Sequence, residues 1–140
     1  MEECLEISKS KYQISNEIQM SKNKIFDLEE RTAIFGEDII RLAKFVKPDH
    51  INRPILTQLG KCGTSVGANY CEADGAESRK DFQHKMGISK KECKESKHFL
   101  RMLSVSNPEC KARCRELWKE AQELTLIFSK IINNSKKRNK

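Results

Sequence analysis

Near the C-terminus, Cys110, Cys114, Leu117, Ala121, Leu124, Phe128 and Ile131 recur at alternating steps of four and three residues. That spacing returns a side chain to the same side of a 3.6-residue helix at every turn, and a strand, with its period of two, cannot reproduce it. A chain carrying such a stripe must bury it against another element. Ile55, Leu59, Cys62, Val66, Asn69 and Ala73 step by the same rule. Leu28, Phe35, Ile39, Leu42 and Val46 recur at heptad spacing, and Phe82, Met86, Cys93, Leu100 and Leu103 keep a similar register. Four stripes call for four helices, and no segment reads as a strand.

Helix boundaries follow from the residues between the stripes. Asp27, with Glu30 three positions on, is an aspartate version of the capping box, and Lys47-Pro48 should stop the first helix near Val46 because the residue before proline is pushed out of the α region. Asn52 reads as the next cap, with Pro54 in the first turn, where its missing N–H is harmless. Asp74-Gly75 should end the second helix, Ser78 with Asp81 should cap the third, and Ser106-Asn107-Pro108-Glu109 should separate it from the fourth. Helices of about 16 to 25 residues with such short connections predict an all-α, antiparallel up-down-up-down four-helix bundle over residues 26–133. Residues 1–25, with Ile7, Ile14, Ile18 and Ile25 widely spaced among polar residues, read as an extension, helical or disordered. Residues 134–140 read as a disordered basic tail.

The composition fits one domain. The chain has 140 residues, 37% apolar and 34% charged, with three prolines, and its net charge of +7 favours polyanionic partners. No apolar run approaches the roughly 18 residues of a membrane span, and the first residues lack a signal peptide's apolar core, so a soluble, non-exported, cytoplasmic protein with no membrane partner is expected. The six cysteines are then reduced thiols. They form no C-x-x-C pair, and Cys110 with Cys114 cannot alone supply the four ligands of a zinc site.

Two motifs suggest chemistry and fail on context. Gly63-Thr64-Ser65-Val66-Gly67 matches the G-x-S-x-G of a hydrolase nucleophile elbow, but that device needs a strand, a sharp turn and a helix, and here both glycines lie inside a helical period. Neither phosphate-loop pattern is present. Asp81-x-x-His84 and Glu95-x-x-His98 resemble the carboxylate-histidine pairs of di-iron bundles, yet both lie on one helix about 21 Å apart, too far to share a centre. No catalytic residue, metal or cofactor is expected. Gly60, Gly63, Gly67 and Ala68 instead suggest close approach of a second helix, which must offset up to about 1 kcal/mol per helical glycine. Asn69, on the stripe itself, and its neighbours Ser65 and Glu72 are candidates for fixing register or assembly.

The third helix carries a charged stripe. Arg79, Lys90, Lys94, Lys97 and Arg101 fall within roughly 60° of one another at 100° per residue, with Asp81, Glu92 and Glu95 elsewhere. Such a stripe is either a solvated face or an electrostatic track for a phosphate backbone. With few aromatics nearby, base stacking is not expected. Ile88, Phe99 and Met102 give the same helix a second apolar side, which suggests a second neighbour from another subunit.

Gln58, Ser65-Val66-Gly67-Ala68-Asn69, Glu72-Ala73, Ser78, Asp81-Phe82, Lys91-Glu92 and Glu95-Ser96, followed by an amphipathic helix, resemble the four-helix-bundle proteins of the 23S ribosomal-RNA intervening-sequence family. The likeness spans about Asn23 to Ile132, and S-V-G-A-N-x-x-E-A is its most specific part. Lys61-Cys62-Gly63-Thr64 departs from the usual pattern, and the first 22 or so residues have no counterpart. The resemblance implies a four-helix protomer in a ring-like homopentamer, and the failed motifs leave a non-enzymatic protein as the expectation. A related member, the accessory variability protein of diversity-generating retroelements, binds a reverse transcriptase and nucleic acid through a basic surface. The expectation is therefore a homo-oligomer whose basic track binds RNA or DNA, or a protein partner such as a reverse transcriptase. The alternative is a protein-interaction adaptor that touches no nucleic acid.

Overall fold

The computed structural model describes residues 27–137; the expected extension over residues 1–25 lies outside the described part. Helices α1 (Leu28–Phe45), α2 (Asn52–Asp74), α3 (Arg79–Ser106) and α4 (Lys111–Lys137) follow in order, with a 3-10 turn at Pro108–Cys110 between α3 and α4. There is no strand among the described residues. Cys62, Val66 and Glu72 of α2 meet Ser96, Ser89 and Lys85 of α3, so position falls on one helix as it rises on the other. The contacts of Thr32 with Gly67 and Ile39 with Gly63, between α1 and α2, run the same way, as do those of Gln83 with Ser135 and Lys97 with Gln122, between α3 and α4. Successive helices are thus antiparallel neighbours in a four-helix bundle.

The four stripes form the core. Ile39, Leu42, Leu59, Val66, Met86, Leu100, Leu124 and Phe128 are wholly buried, each contributing about 1.5–3 kcal/mol where a full apolar side chain leaves water. Tyr70 of α2 stacks on Phe128 of α4 across the interior, ring centroids 6.4 Å apart. Ser89 and Ser96 lie in the same buried register of α3, where hydroxyls need partners. Ser89 donates to the Val66 carbonyl oxygen at 3.0 Å, and Ser96 donates to the Glu92 carbonyl oxygen at 2.8 Å beside the Cys62 thiol.

Several helix ends differ from expectation. Asp27 occupies the cap position of α1 without a side-chain cap hydrogen bond. α2 is capped not by Asn52 but by Asp49, whose Oδ1 accepts from the backbone N–H groups of Ile51 and Asn52 at 2.8 and 2.7 Å. Those bonds, that of Asn52 first, hold the Asp49 carboxyl below its ordinary pKa. Asn52 is free for another task. Fully buried, its Nδ2 donates to the Lys47 carbonyl oxygen at 3.0 Å and to Asn107 Oδ1 at 3.1 Å, tying the α1/α2 connection to the α3/α4 connection at one end of the bundle. Gly75 ends α2 at φ −94°, not in the left-handed region. Ser78 does cap α3, its Oγ accepting from the Asp81 N–H at 3.0 Å.

Residues 134–137, expected in the basic tail, are helical, and residues 138–140 lie outside the described part. α4 continues through Lys137, and Ser135 accepts from Gln83 Nε2 at 3.0 Å, which fastens the last turns to α3.

Candidate nucleic-acid interface

α3 presents its charges outward because Met86, Ser89, Cys93, Ser96, Leu100 and Leu103 occupy its buried side. Lys94 and Arg101 are exposed, and Lys90 and Lys97 half-buried. Arg79, at the first turn, is about 16 Å along the axis from Lys90. It lines a different groove, with Phe82, Ile127 and Ile131. The structure thus sets Arg79 apart from the other four stripe residues.

The four divide between two surfaces. Lys90 and Lys94 line a shallow concavity with Gln58, Lys91, His98 and Phe99 on the outer side of α3, and Glu95, expected on a different side, lines it too. Lys97 leans toward α4, where it donates to Gln122 Oε1 and places its Nζ 4.9 Å from the centroid of the Trp118 ring. A cation over an indole face is attractive, roughly 0.5–2 kcal/mol depending on exposure. One turn further, Arg101 enters a groove of about 470 Å³ between α3 and α4, rimmed by Lys111, Arg115, Lys119 and Trp118 and floored by Leu100 and Cys114. No carboxylate is among its lining residues.

This groove corrects one expectation: an aromatic ring does lie at the basic stripe. Lys111, Arg115 and Lys119 carry a signal in their four-residue spacing, which puts them on one side of α4. Which neighbour that side adjoins depends on how α4 is rotated against α3, and the period alone does not contain that.

The residues of the G-x-S-x-G segment lie in the middle of α2. Ser65 Oγ donates to the Lys61 carbonyl oxygen at 2.7 Å, as helical serines do, and sits on no strand-to-helix elbow. Asn69 is half-buried and donates to the Ser65 carbonyl oxygen at 2.9 Å, bonding within its own helix. Glu72 pairs with Lys85 of α3 at 2.6 Å, which raises the Lys85 pKa through the hydrogen bond and the charge of Glu72.

Gly63 and Gly67 pack against α1: a Cβ on Gly63 would lie 2.8 Å from two carbons of Ile39, and one on Gly67 would lie 3.3 Å from Thr32 Oγ1. A Cβ on Gly60 would meet nothing within 4 Å, so that glycine does not share the role.

His84 and His98 stay apart along α3, and His98 sets its ring edge-on to Phe99, centroids 5.2 Å apart. Among the described residues no three potential metal ligands cluster. Cys62, Cys93, Cys110 and Cys114 are buried free thiols, and Cys71 is exposed. Burial pushes the Cys114 thiol up to about 12 and raises Cys62, Cys93 and Cys110 as well. No helix among the described residues is long and apolar enough to cross a membrane.

These features define a class: an all-helical bundle whose outward chemistry is a cationic surface on its third and fourth helices. The model of the 23S rRNA-intervening sequence protein family matches residues 24–134, and the chain belongs to that family. It is also similar to a protein of unknown function from the S23 ribosomal protein family of Bacteroides thetaiotaomicron, known from a crystal structure. The TM-score is 0.66 at 26% identity, over 75% of this chain and 94% of that one. None of the curated proteins matches the chain.

Proposed function

We propose that the protein is a non-enzymatic, cytoplasmic homo-oligomer, a pentamer, that binds RNA or DNA through the outer face of α3 and the adjoining side of α4. The observation that carries this reading is the gathering of Arg101 with Lys111, Arg115 and Lys119 in an α3/α4 groove that no carboxylate lines, with Lys97 at its Trp118 edge; Lys90 and Lys94 extend the basic face along α3. A phosphate backbone releases counterions when such a surface neutralises it, and that release drives binding whatever the sequence. The half-buried apolar side of α3 at Ile88, Phe99 and Met102 supports self-association, as do the exposed Ile40 and Leu126. The ring of five is what the family resemblance implies. A protein that handles nucleic acid, such as a reverse transcriptase, fits the same surface through the polyanion it carries.

The test is binding of a structured RNA at about 50 mM salt, expected to weaken as a power of salt concentration. Changing Lys90, Lys94, Lys97 and Arg101 together to Gln should flatten that dependence. Absence of binding at low salt, or binding indifferent to the fourfold change, rejects the reading. Nuclease-resistant capture of a protein partner would then favour an adaptor. Mass in solution tests the pentamer separately.

A further inference from the structure

Trp118 is the chain's single tryptophan, and it is 38% exposed at the edge of a groove that otherwise presents cations. An indole left partly in water beside four positive side chains is not explained by solubility, which charge alone would serve. Nor is it needed for packing: its neighbour Leu117 takes the core position, as Cys114 and Ala121 do on either side. The groove thus offers an apolar floor at Leu100 and Cys114, a flat aromatic ring and a cationic rim. A ligand matching all three has a flat apolar part and negative charge on either side of it.

We propose that the α3/α4 groove holds an unpaired nucleotide of a single-stranded nucleic acid, its base stacked on Trp118 and its flanking phosphates met by Arg101, Lys111, Arg115 and Lys119. The inference rests on the nucleic-acid reading above and narrows it from a charged surface to a defined ligand. A duplex could meet the rim but not the ring, because its bases are already stacked on one another, whereas an unstacked base can lie on an aromatic face. Lys97 already holds its ammonium over the indole. A base that takes that place frees the ammonium for a phosphate, so the cation is kept in use. The one hydroxyl lining the groove, that of Ser104, commits its proton to the Arg101 carbonyl oxygen at 2.7 Å. The site as proposed uses base and phosphate and no contact to the sugar, so RNA and DNA strands are expected to bind alike.

With a single tryptophan, intrinsic fluorescence reports on this ring alone. Strands of about 12 nucleotides, RNA and DNA, and the corresponding duplexes are titrated into the full-length protein at about 50 mM salt. Both strands are expected to quench the emission and the duplexes to leave it nearly unchanged. By anisotropy of labelled strands, Trp118→Leu should weaken binding about 5- to 150-fold, the range for loss of one base-on-ring stack, with an unchanged salt slope because the phosphate contacts remain. Trp118→Phe, which keeps a ring, should stay within about fivefold of the parent and guards against misfolding as the cause.

Equal binding of strand and duplex without quenching, or Trp118→Leu binding strands as the parent does, overturns the stacking site and leaves the charged surface standing. Quenching by only one of the two sugars overturns the claim that base and phosphate alone are read. If neither strand nor duplex binds at low salt, the nucleic-acid reading falls and this inference with it. If strands fail while dilution of the protein alone shifts the emission, the groove is covered by a second copy of the chain, and the proposal is wrong.

Discussion

The groove between α1 and α2 and the groove between α3 and α4 are of comparable size, about 630 and 470 Å³, but they are built in different ways. α1 and α2 meet nearly backbone to backbone: Gly36 lies against the Cα of Thr64, Gly63 against Ile39 and Gly67 against Thr32. Asp27, Glu29, Glu30 and Glu37 stand around the groove this leaves. α3 and α4 are bridged by long side chains, Gln83 reaching Ser135 and Lys97 reaching Gln122 and Trp118. The space between them is rimmed by cations. Small residues bring the backbones of one pair of helices together and leave a groove edged by carboxylates, while long side chains bridge the other pair and leave one rimmed by cations. The chain's excess positive charge is gathered on the side of α3 and α4.

The largest expected effect lies where these two halves join. α1 and α4 touch only lightly, and their seam is held by Arg31, 3% exposed. Its Nε and Nη2 donate to the Glu120 carboxylate at 2.9 and 2.5 Å, and Nη2 also to Glu123. Burial works against the charged guanidinium, but the two carboxylates overcome it and raise its pKa. Arg31→Met leaves Glu120 buried without its partner, which should cost about 3–5 kcal/mol, read as a lower urea midpoint at unchanged slope. The double change Arg31→Met with Glu120→Leu should recover most of the loss. A single-variant loss below about 1 kcal/mol, the worth of an exposed pair, would mean the buried ion pair does not hold the α1/α4 seam.

The buried thiols, Cys62 of α2 among them, give the bundle a pH dependence in base. Cys93 and Cys114 belong to α3 and α4, and burial holds both thiols above their ordinary range, Cys114 at about 12. In the unfolded chain they ionise from near pH 9, while in the folded one they keep their protons. The stability they contribute is therefore whole below about pH 9 and is lost as pH rises toward the folded value, at roughly 1 to 1.5 kcal/mol per pH unit for each thiol. Urea unfolding at pH 8, 9 and 10 should show this decline, and Cys114→Ala should make it shallower. A flat profile would mean these thiols lose their protons as readily in the folded bundle as outside it.

The two halves were unequally legible in the sequence. The stripes could be read because burial on one side of a helix imposes a period, and Phe35, Leu59, Met86 and Leu124 lie where that period puts them. The polar contacts that lock the bundle could not. Arg31 pairs with a carboxylate 89 positions away and Asn52 with an amide 55 positions away, and each looks locally like a surface charge or a helix cap. The glycines of α2 announced close packing but not which of them made it. The basic stripe on α3 was visible, whereas its completion by Arg115, Lys119 and Trp118 depended on the rotation of α4. Periodicity encodes which side is buried, and the partner of each exposed side is settled only by assembly.

The smallest effects test the packing half of the comparison most directly, because two glycines one turn apart on α2 should respond with opposite sign. At Gly63 an added Cβ lands 2.8 Å from both Cγ1 and Cγ2 of Ile39, a fully buried, β-branched side chain with little freedom to turn away. Gly63→Ala gains up to about 1 kcal/mol of helix propensity but forces α1 outward, and overpacking of this kind costs about 1–3 kcal/mol, so a net loss is expected. Gly60→Ala meets nothing within 4 Å and keeps only the propensity gain, so it should raise the midpoint by up to about 1 kcal/mol. If both substitutions stabilise, α1 and α2 are not in backbone contact at Gly63, and the distinction between a pair joined through small residues and a pair bridged by long ones disappears. If both destabilise, Gly60 faces a neighbour that only the assembled oligomer supplies, and repeating the measurement over a range of protein concentrations would show its loss growing as subunits associate.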